Sequence, residues 1–506
     1  MGQKIRKILV ANRGEIAVRV MRTCRELGIS TVAIFSEADR DALHVRTADQ
    51  AYCVGPPPSR ESYLAEDRII DAAKRSKADA IHPGYGFLSE NPSFVRTCEK
   101  AGLVFIGPPA SAMTAMGEKT RARTQMSQAG VPIVPGTTEP LRTFEAAKAS
   151  ADKIGYPVML KAAGGGGGKG LRTVDGPQGL ESAWRLARSE ALSAFGNDAI
   201  YLEKLLERPH HIEIQVFADA HGTCIHLNER ECSAQRRHQK VIEETPSPIV
   251  PPRMRDSMGQ VAIKAAKAVG YIGAGTVEFL VDAQRKFYFL EMNTRLQVEH
   301  PITEWVTGLD LVAWQIKVAE GMKLPLDRPI SPRGHAIEAR IYAEDPAQRF
   351  LPSPGRIRQL AFPSGHFVRN DTGAYAGYTV STYYDPLISK LSVWGHSRQD
   401  AIARLGRALD EYVVTGITTN IAYLRSVLRH PEFTAGNYDT GLLDREHAAL
   451  LAADGRAPLP AVIAALVVAH ERDRQRVASS QRADGSASPS PWRQLSWRRR
   501  SAPERR

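Results

Sequence analysis

Five polar residues occupy every second position of one short segment: Glu291, Asn293, Arg295, Gln297 and Glu299. In an extended chain, alternate side chains project to the same side, so these five are expected to share one face. Carboxylate and amide oxygens are ligands that Mg²⁺ prefers, and a guanidinium group binds anions. The pattern predicts a site for a cation and an anion together; a strand face that is merely exposed to solvent is the simpler alternative.

The segment TVEFLVDAQRKFYFLEMN, residues 276–293, is typical of an antiparallel hairpin that ends in this polar stripe. If its turn is centred between Gln284 and Arg285, Glu278 lies opposite Glu291. Two opposed carboxylates repel each other unless a divalent ion neutralises them. A shift of one residue in register would send Glu278 to the other face of the hairpin.

A run of five glycines follows Lys161 and precedes Lys169 in LKAAGGGGGKGL, residues 160–171. Strand-like segments flank the run, so it is expected to lie within a hairpin rather than between two domains. Glycine lets main-chain amides approach phosphate oxygens closely. The run lacks the GxxxxGK[ST] pattern of a Walker loop. A phosphate-binding loop and a flexible hairpin tip are both consistent with it.

The segment ECSAQRRHQKVIEE, residues 231–244, gathers one amide and four basic or imidazole side chains: Gln235, Arg236, Arg237, His238 and Lys240. A basic surface loop is the simplest interpretation. Its association with an acidic metal face favours instead a site for anionic substrates.

The elements that must position these residues change in character near residue 117. Residues 5–115 alternate apolar strand-like runs, such as KILVAN and TVAIFS, with helical patterns, which predicts a doubly wound parallel sheet. No GxGxxG follows the first run, so a dinucleotide site is not expected. After residue 117, a helical segment leads into short β segments, and residues 336–445 form a third block.

The net charge of +12 is concentrated in the last part of the chain, because residues 470–506 contain ten arginines and four acidic residues. A nucleic-acid partner is therefore not expected. No stretch approaches the roughly 20 apolar residues of a membrane helix, so no membrane association is expected either. The five cysteines include no CxxC pair, and the start has no secretory signal. We expect a cytoplasmic protein in a reducing compartment.

Ten long segments, in order, resemble biotin carboxylase, the ATP-grasp component of biotin-dependent acyl-CoA carboxylases. The resemblance covers about residues 3–447. The segments are KILVANRGEIAVRV, HPGYGFLSEN, MGEK, KAAGGGGGKG, CSAQRRHQK, EFLVD, EMNTRLQVEHP, GHAIEARIYAEDP, LPSPG and YYDPLISK.

The resemblance implies an α/β and α+β fold in four parts. These are a Rossmann-like N-terminal domain (1–117), an ATP-grasp domain (118–330) with a mobile lid at about 133–206, a mixed C-terminal domain (331–447), and a basic tail (448–506) that is mostly disordered apart from one Ala-rich helix. It also implies carboxylation of biotin by bicarbonate and ATP through carboxyphosphate.

The resemblance assigns a role to each site residue. Two Mg²⁺ or Mn²⁺ ions would bind Glu278 and Glu291, with Asn293. Bicarbonate would bind Lys240, Arg295, Gln297 and the backbone of Val298. Glu299 would be the base on bicarbonate, and Arg340 would stabilise the enolate-like form of biotin. The remaining ATP contacts would be Lys119, Lys161, Gly165, Gly166, Gly167, Gly168, Glu203, Lys204, Leu206, His211, Gln235, His238 and Leu280.

Several alternatives stay open. Without the resemblance, an ion pair of Arg340 with Glu338 or Glu344 would be the first interpretation. Family members are usually homodimers, and Arg22 and Glu26 match interface positions, although their spacing also fits an intrahelical pair.

The chain has no Ala-Met-Lys-Met biotinylation stretch, so the biotin carboxyl carrier protein and the carboxyltransferase subunits are expected to be separate chains. Acetyl-, propionyl- and methylcrotonyl-CoA systems all remain possible, with acetyl-CoA favoured. The tail is either a relic or a docking peptide. The rival functions are another ATP-grasp ligase, such as a carbamoyl phosphate synthetase module, and an inactive scaffold.

Overall fold

The computed structural model describes residues 4–162, 171–326, 330–453 and 471–472. The chain up to Ala453 belongs to one compact unit. The glycines of the 164–168 run lie outside the described residues, as does the Ala-rich helix predicted in the tail, apart from residues 471 and 472.

The N-terminal part is a five-stranded parallel sheet in the order β3-β2-β1-β4-β5, which confirms the predicted doubly wound arrangement. The sequence interpretation missed β3, a half-exposed edge strand without a continuous apolar run. The strands are β1 (Lys7–Val10), β2 (Ser30–Ser36), β3 (Gln50–Gly55), β4 (Ala80–His82) and β5 (Val104–Phe105). The helices are α1 (Gly14–Glu26), α2 (Leu43–Thr47), α3 (Glu66–Ser76), α4 (Pro92–Lys100) and α5 (Ala110–Gly117).

A three-stranded antiparallel sheet follows. Its strands are β6 (Val158–Ala162), β7 (Arg172–Val174) and β8 (Ile200–Lys204), and its helices are α6 (Lys119–Gln128), α7 (Phe144–Ile154) and α8 (Leu180–Phe195). Leu160 pairs with Arg172 across β6 and β7, so the glycine run does connect two strands of one hairpin, as predicted.

The largest element is an eight-stranded antiparallel sheet in the order β13-β12-β9-β10-β11-β14-β21-β19. The strands after β8 are β9 (His210–Ala218), β10 (Cys224–Arg236), β11 (Gln239–Thr245), β12 (Gly273–Val281), β13 (Phe287–Asn293), β14 (His335–Tyr342), β15 (Glu344–Asp345), β16 (Leu351–Pro352), β17 (Gly355–Arg356), β18 (Gln359–Ala361), β19 (Val368–Thr372), β20 (Thr379–Val380), β21 (Leu387–Gly395) and β22 (Val413–Thr415). The remaining helices are α9 (Pro252–Ala268), α10 (His300–Thr307), α11 (Leu311–Ala319), α12 (Arg398–Glu411), α13 (Ile421–Arg429), α14 (Pro431–Ala435), α15 (Leu442–Arg445) and α16 (His447–Ala452).

This sheet is continuous across the predicted domain boundary at residue 330, because β11 pairs with β14. Side chains that precede and follow the boundary therefore lie side by side on one face.

The strand β9 shows how the sheet creates a polar interior. Ile212, Ile214 and Val216 pack into the apolar core beside α9. The alternate residues of HHIEIQVFA, which include Glu213 and Gln215, point to the opposite face and are equally buried. Both faces of the sheet are thus closed, and one of them is lined with charges that need partners.

Among the described residues, no helix has both the length and the apolar character needed to cross a membrane.

Candidate active site

The polar stripe begins on β13 but does not continue as an extended chain. The strand ends at Asn293, and α10 begins at His300 with Glu299 as its N-cap. The prediction of five alternating side chains on one strand face is therefore wrong beyond Asn293, because the chain turns into a helix. Hydrogen bonds bring the later polar residues back to the strand.

The predicted pairing of Glu278 with Glu291 across β12 and β13 is confirmed. The predicted turn centre is not, since Val281 pairs with Phe287 and the turn is therefore centred on Gln284. A bulge after Glu278 shifts the register by one residue and restores the expected pair.

Glu278 accepts hydrogen bonds from both amide side chains of the polar stripe. Asn293 Nδ2 donates to Glu278 Oε1 at 2.9 Å, and Gln297 Nε2 donates to the same oxygen at 3.3 Å. Arg295 fixes both amides, donating to Gln297 Oε1 at 2.9 Å and to Asn293 Oδ1 at 3.0 Å. Arg295 is itself held by Glu90 of the N-terminal part at 2.9 Å.

Lys240 lies at the centre of the charged cluster. Its Nζ donates to Glu213 at 2.6 Å, to Glu299 at 2.7 Å and to Glu278 at 2.9 Å. Burial opposes the charged form, but the three carboxylates outweigh it and raise the pKa of Lys240 well above its usual value. The ammonium group therefore stays charged and holds three acidic side chains together.

A tight turn positions Lys240. Arg236 pairs with Gln239, and the two residues between them, Arg237 and His238, both have left-handed φ angles of 48° and 67°. This is the geometry of a two-residue hairpin turn. The basic loop considered for this segment is therefore two strands of the main sheet, with Gln235 buried beside Lys240.

Arg340 clamps the other side of Glu299. Its Nη2 lies 3.0 Å from Glu299 Oε2, and its Nε donates to Glu243 at 2.6 Å. The alternative pairings of Arg340 with Glu338 or Glu344 are wrong, since Glu344 forms its ion pair with Arg236.

Glu299 is fully buried, and burial alone would raise its pKa. The charges of Lys240 and Arg340 outweigh burial and lower the pKa of Glu299 well below its usual value. Glu299 is therefore an ionised carboxylate between two cations at neutral pH.

Glu278 also contacts His211, whose Nε2 lies 3.0 Å from Glu278 Oε2. Burial opposes ionisation, yet Lys240 and His211 lower the pKa of Glu278 far below its usual value. Leu280 pairs with His211 across β12 and β9, which fixes this contact. Ligand atoms of His211, Glu213 and Glu278 lie within 4.8 Å of one another.

These donors fit a divalent ion. Glu278 and Glu291 offer opposed carboxylates, and Asn293 offers an amide oxygen, which are hard ligands suited to Mg²⁺ or Mn²⁺. Lys240 and Asn293 both donate hydrogen bonds to Glu278 Oε1, so a cation bound at this oxygen would replace these two donors.

A second cluster lies on the three-stranded sheet. Lys161 Nζ lies 2.5 Å from Glu203, which also forms an ion pair with Arg123. Lys204 donates to the carbonyls of Gly155 and Tyr156 at 3.0 and 2.8 Å. Leu206 and Lys204 line a cavity of about 340 Å³. The side chain of Lys119 and the glycines 165–168 lie outside the described residues.

Sequence reasoning missed four residues of the main cluster: Glu90, Glu213, Arg230 and Glu243. Glu213 bridges Lys240 and Arg230 while fully buried. The alternation of His211, Glu213 and Gln215 with isoleucine and valine carried the same signal as the 291–299 stripe and could have revealed it. Glu90 had no such signal, because it reaches Arg295 only through the tertiary fold.

Models of known protein families match the chain in succession. Residues 4–113 match the biotin carboxylase N-terminal domain, and residues 338–445 match the biotin carboxylase C-terminal domain. Residues 118–327 match the ATP-binding domain of the carbamoyl-phosphate synthase L chain.

Curated relatives cover nearly the same range. Biotin carboxylase 1 of Bacillus subtilis is 52% identical over 442 residues, which are 87% of this chain and 98% of that protein. The mitochondrial methylcrotonoyl-CoA carboxylase subunit alpha of Dictyostelium discoideum is 52% identical over 450 residues, which are 88% of this chain. The match spans 64% of the length of that longer subunit.

Solved structures agree. A biotin carboxylase–β-γ-ATP complex from Campylobacter jejuni has a TM-score of 0.85 and 50% identity, and the match covers 87% of this chain and 99% of that one. The biotin carboxylase domain dimer of Hydrogenobacter thermophilus 2-oxoglutarate carboxylase, in complex with MgADP, ADP and bicarbonate, has a TM-score of 0.84 and 46% identity. That match covers 88% of this chain and 99% of the other.

Proposed function

Because the chain belongs to the biotin carboxylase family, we propose that it is a ligase that carboxylates biotin with bicarbonate and ATP. Bicarbonate attacks the γ-phosphate of ATP and gives carboxyphosphate and ADP. Carboxyphosphate then breaks down to CO₂ and phosphate. A ureido nitrogen of biotin gives its proton to that phosphate and forms a bond to the carbon of CO₂. The observation that carries this proposal is the Glu299 carboxylate, which lies within 3.0 Å of both Lys240 and Arg340.

Bicarbonate binds beside Glu299 in this proposal. Lys240 and Arg295 supply positive charge, Gln297 supplies an amide, and the backbone of Val298 completes the site. Bicarbonate is a poor nucleophile, so a base must remove its proton as it attacks phosphorus. Glu299 is a fully buried carboxylate that contacts both Lys240 and Arg340.

The ion pairs of Glu299 also set when it acts as a base. With Lys240 and Arg340 in contact, its lowered pKa makes it a weak base. Substrates that draw either cation away raise that pKa and strengthen the base. Glu299 is thus activated as bicarbonate and biotin arrive.

Arg340 serves the second step. The ureido nitrogen of biotin becomes nucleophilic when its carbonyl oxygen carries negative charge. A guanidinium group held rigidly by Glu243 and Glu299 stabilises that charge as an oxyanion hole does.

The nucleotide lies against the three-stranded sheet and its glycine loop. Lys119, Lys161 and His211 contact phosphates, Glu203, Lys204, Leu206 and Leu280 surround adenine, and Gln235 and His238 lie on the nucleotide side. Two Mg²⁺ or Mn²⁺ ions held by Glu278, Glu291 and Asn293 would neutralise phosphate charge during phosphoryl transfer. Alignment and positive charge are what such a transfer requires. Glycines 165–168 would close over the phosphates and keep water from carboxyphosphate.

The acceptor is biotin on a separate carboxyl carrier protein, and separate carboxyltransferase subunits complete the reaction on an acyl-CoA. The proposal favours acetyl-CoA, and hence fatty acid biosynthesis, over propionyl- and methylcrotonyl-CoA. We place the protein in the cytoplasm, a reducing compartment that suits its five free cysteines.

The chain forms a homodimer in this proposal, with Arg22 and Glu26 at the interface. No ion pair joins these two residues in the described structure, although both line one open cavity of about 520 Å³. The intrahelical ion pair that the spacing of Arg22 and Glu26 allows is therefore not formed.

The test is ADP formation with MgATP, bicarbonate and free biotin. The proposal predicts that ADP formation requires bicarbonate and rises with biotin, with carboxybiotin as product. The alternative function, a carbamoyl phosphate synthetase module, predicts ADP formation that does not depend on biotin. The name of the family model matched at residues 118–327 favours this alternative. An inactive scaffold would form no ADP.

A further inference from the structure

Lys390 on β21 is a buried cation that no role above uses. It is 1% exposed, in the interior of the main sheet. Its Nζ donates to the backbone carbonyl of Val298 at 2.8 Å. A lysine is almost never fully buried unless a specific partner requires it.

The main sheet places Lys390 next to Arg340, a residue of the proposed site. Lys390 pairs with Arg340 on β14 and with Asp371 on β19, so the three side chains share one face. The other contacts of Lys390 are weaker, since Glu15 on α1 lies 3.4 Å away and its Nζ is 5.7 Å from the ring centroid of Tyr85. The Val298 carbonyl is thus its closest partner.

The accepting carbonyl belongs to the peptide unit that joins Val298 to Glu299. That unit is planar and rigid, so fixing its oxygen fixes the backbone nitrogen of Glu299 as well. The preceding turn is fixed independently, because the buried ring of His300 contacts the Gln297 carbonyl at 2.9 Å. Lys390 is therefore the side-chain anchor of the peptide that carries the proposed base.

We propose that Lys390 is a positioning residue for biotin carboxylation: through the Val298 carbonyl it holds the 298–299 peptide so that Glu299 faces bicarbonate. The inference rests on the proposed function. Reacting atoms misplaced by about 1 Å cost roughly 100-fold in rate, so loss of this anchor affects turnover more than binding of nucleotide.

The competing role for Lys390 is that of a counter-ion only, which balances the charge of Glu15 between α1 and the sheet. Both oxygens of Glu15 are buried and lack hydrogen bonds, as do both oxygens of Glu338. The two roles predict different kcat values for a variant in which both Glu15 and Lys390 lose their charges.

The experiment compares the Lys390→Met single variant with the Glu15→Gln/Lys390→Met double variant. We expect the single variant to lose about 10- to 100-fold in kcat for bicarbonate-dependent ADP formation, with nucleotide affinity unchanged. Because Lys390 acts on Val298, the double variant stays equally slow. Glu15→Gln alone keeps the kcat of the parent protein, and Lys390→Arg, which retains donors and charge, recovers part of the loss.

Arg398→Met is the matched control. Arg398 on α12 forms an ion pair at 2.7 Å with the fully buried Glu244 on β11, and its other hydrogen bonds go to the carbonyls of Phe433 and Thr434 rather than to Val298. The Arg398→Met variant is expected to lower Tm as Lys390→Met does, but to leave kcat unchanged.

Two outcomes would overturn the inference: a kcat of Lys390→Met equal to that of the parent protein, or recovery of kcat in the double variant. Failure of the proposed function looks different, because the parent protein itself would then show no ADP formation dependent on bicarbonate and biotin.

Discussion

Glu299 and Glu338 are two fully buried glutamates whose surroundings shift their pKa values in opposite directions. Glu299 contacts Lys240 and Arg340, and its pKa is far below the usual value. Both oxygens of Glu338 lack hydrogen-bond partners. Burial raises the pKa of Glu338 well above its usual value, and the more distant charge of Lys390 does not compensate.

The difference shows that burial alone does not identify a catalytic carboxylate. Both side chains are equally hidden from water, yet only the one with two cations in contact is ionised and able to accept a proton. In the proposed mechanism the ion pairs with Lys240 and Arg340 keep Glu299 ionised, and the first two predictions below remove them one at a time.

The largest effect is expected from Lys240→Met. It leaves Glu213, Glu278 and Glu299 buried without their shared cation, and breaking a buried ion pair in this way costs about 3–5 kcal/mol. Bicarbonate-dependent ADP formation should fall by about 10³-fold or more, since the anion site loses the charge of Lys240 and Glu299 loses one of the two cations that position it. Thermal unfolding checks the loss of stability, and steady-state kinetics checks the loss of activity. Near-normal activity would contradict the role assigned to Lys240.

Arg340→Gln should separate the two steps of the reaction. Carboxybiotin formation is expected to fall by about 10²–10³-fold, the range for loss of one oxyanion-stabilising donor. ADP formation without biotin should fall less, because Glu299 keeps its contact with Lys240. Parallel assays of ADP and carboxybiotin check this; equal losses in both would contradict the assigned role.

Glu338→Gln should change stability with pH rather than activity. Burial raises the pKa of Glu338 in the native state well above its ordinary value of about 4.5, so the unfolded chain releases this proton at a lower pH than the native state does. Folding therefore takes up a proton, and this group makes stability fall by about 1.4 kcal/mol per pH unit above that value.

The variant removes this contribution. The free energy of unfolding, measured by denaturant between pH 6 and pH 8, should decline less steeply for Glu338→Gln than for the parent protein. At pH below about 4.5, the curves of unfolding free energy against pH should have the same slope for the variant and the parent protein. Parallel curves throughout the range would show that Glu338 is ionised in the native state.

The smallest effect is expected from Asp71→Ala. Asp71 and Arg75 form an ion pair 3.4 Å apart with both side chains more than 60% exposed. Such pairs contribute about 0–1 kcal/mol because water and salt screen them. Thermal unfolding in low and high salt checks this. A loss of stability as large as that of Lys240→Met would contradict the expectation that buried ion pairs contribute more to stability than exposed ones.

Local patterns were enough to predict much of the fold. Alternating strand and helix signals gave the parallel N-terminal sheet, and two apolar runs around a turn gave the β12–β13 hairpin with Glu278 opposite Glu291. These features depend on residues close together in the chain. The bulge after Glu278 was not predictable, because the packing of both strands decides where an extra residue is accommodated.

Long-range contacts limited the prediction of the site. The alternative partners considered for Arg340, Glu338 and Glu344, lie within four residues of it in the chain. Its partners in the structure are Glu243 on β11 and Glu299, the residue before α10. The continuous sheet that joins β11 to β14 creates this contact. No spacing within one segment encodes it, and the same holds for Lys390 and the Val298 carbonyl.

The most direct test is bicarbonate-dependent ADP formation by Glu299→Gln, measured beside its affinity for MgATP. Glutamine keeps the size of the side chain but accepts no proton, so we predict a loss of about 10²–10⁴-fold in kcat with nucleotide affinity unchanged. A variant that forms ADP at the rate of the parent protein in response to bicarbonate would contradict the assignment of Glu299 as the base.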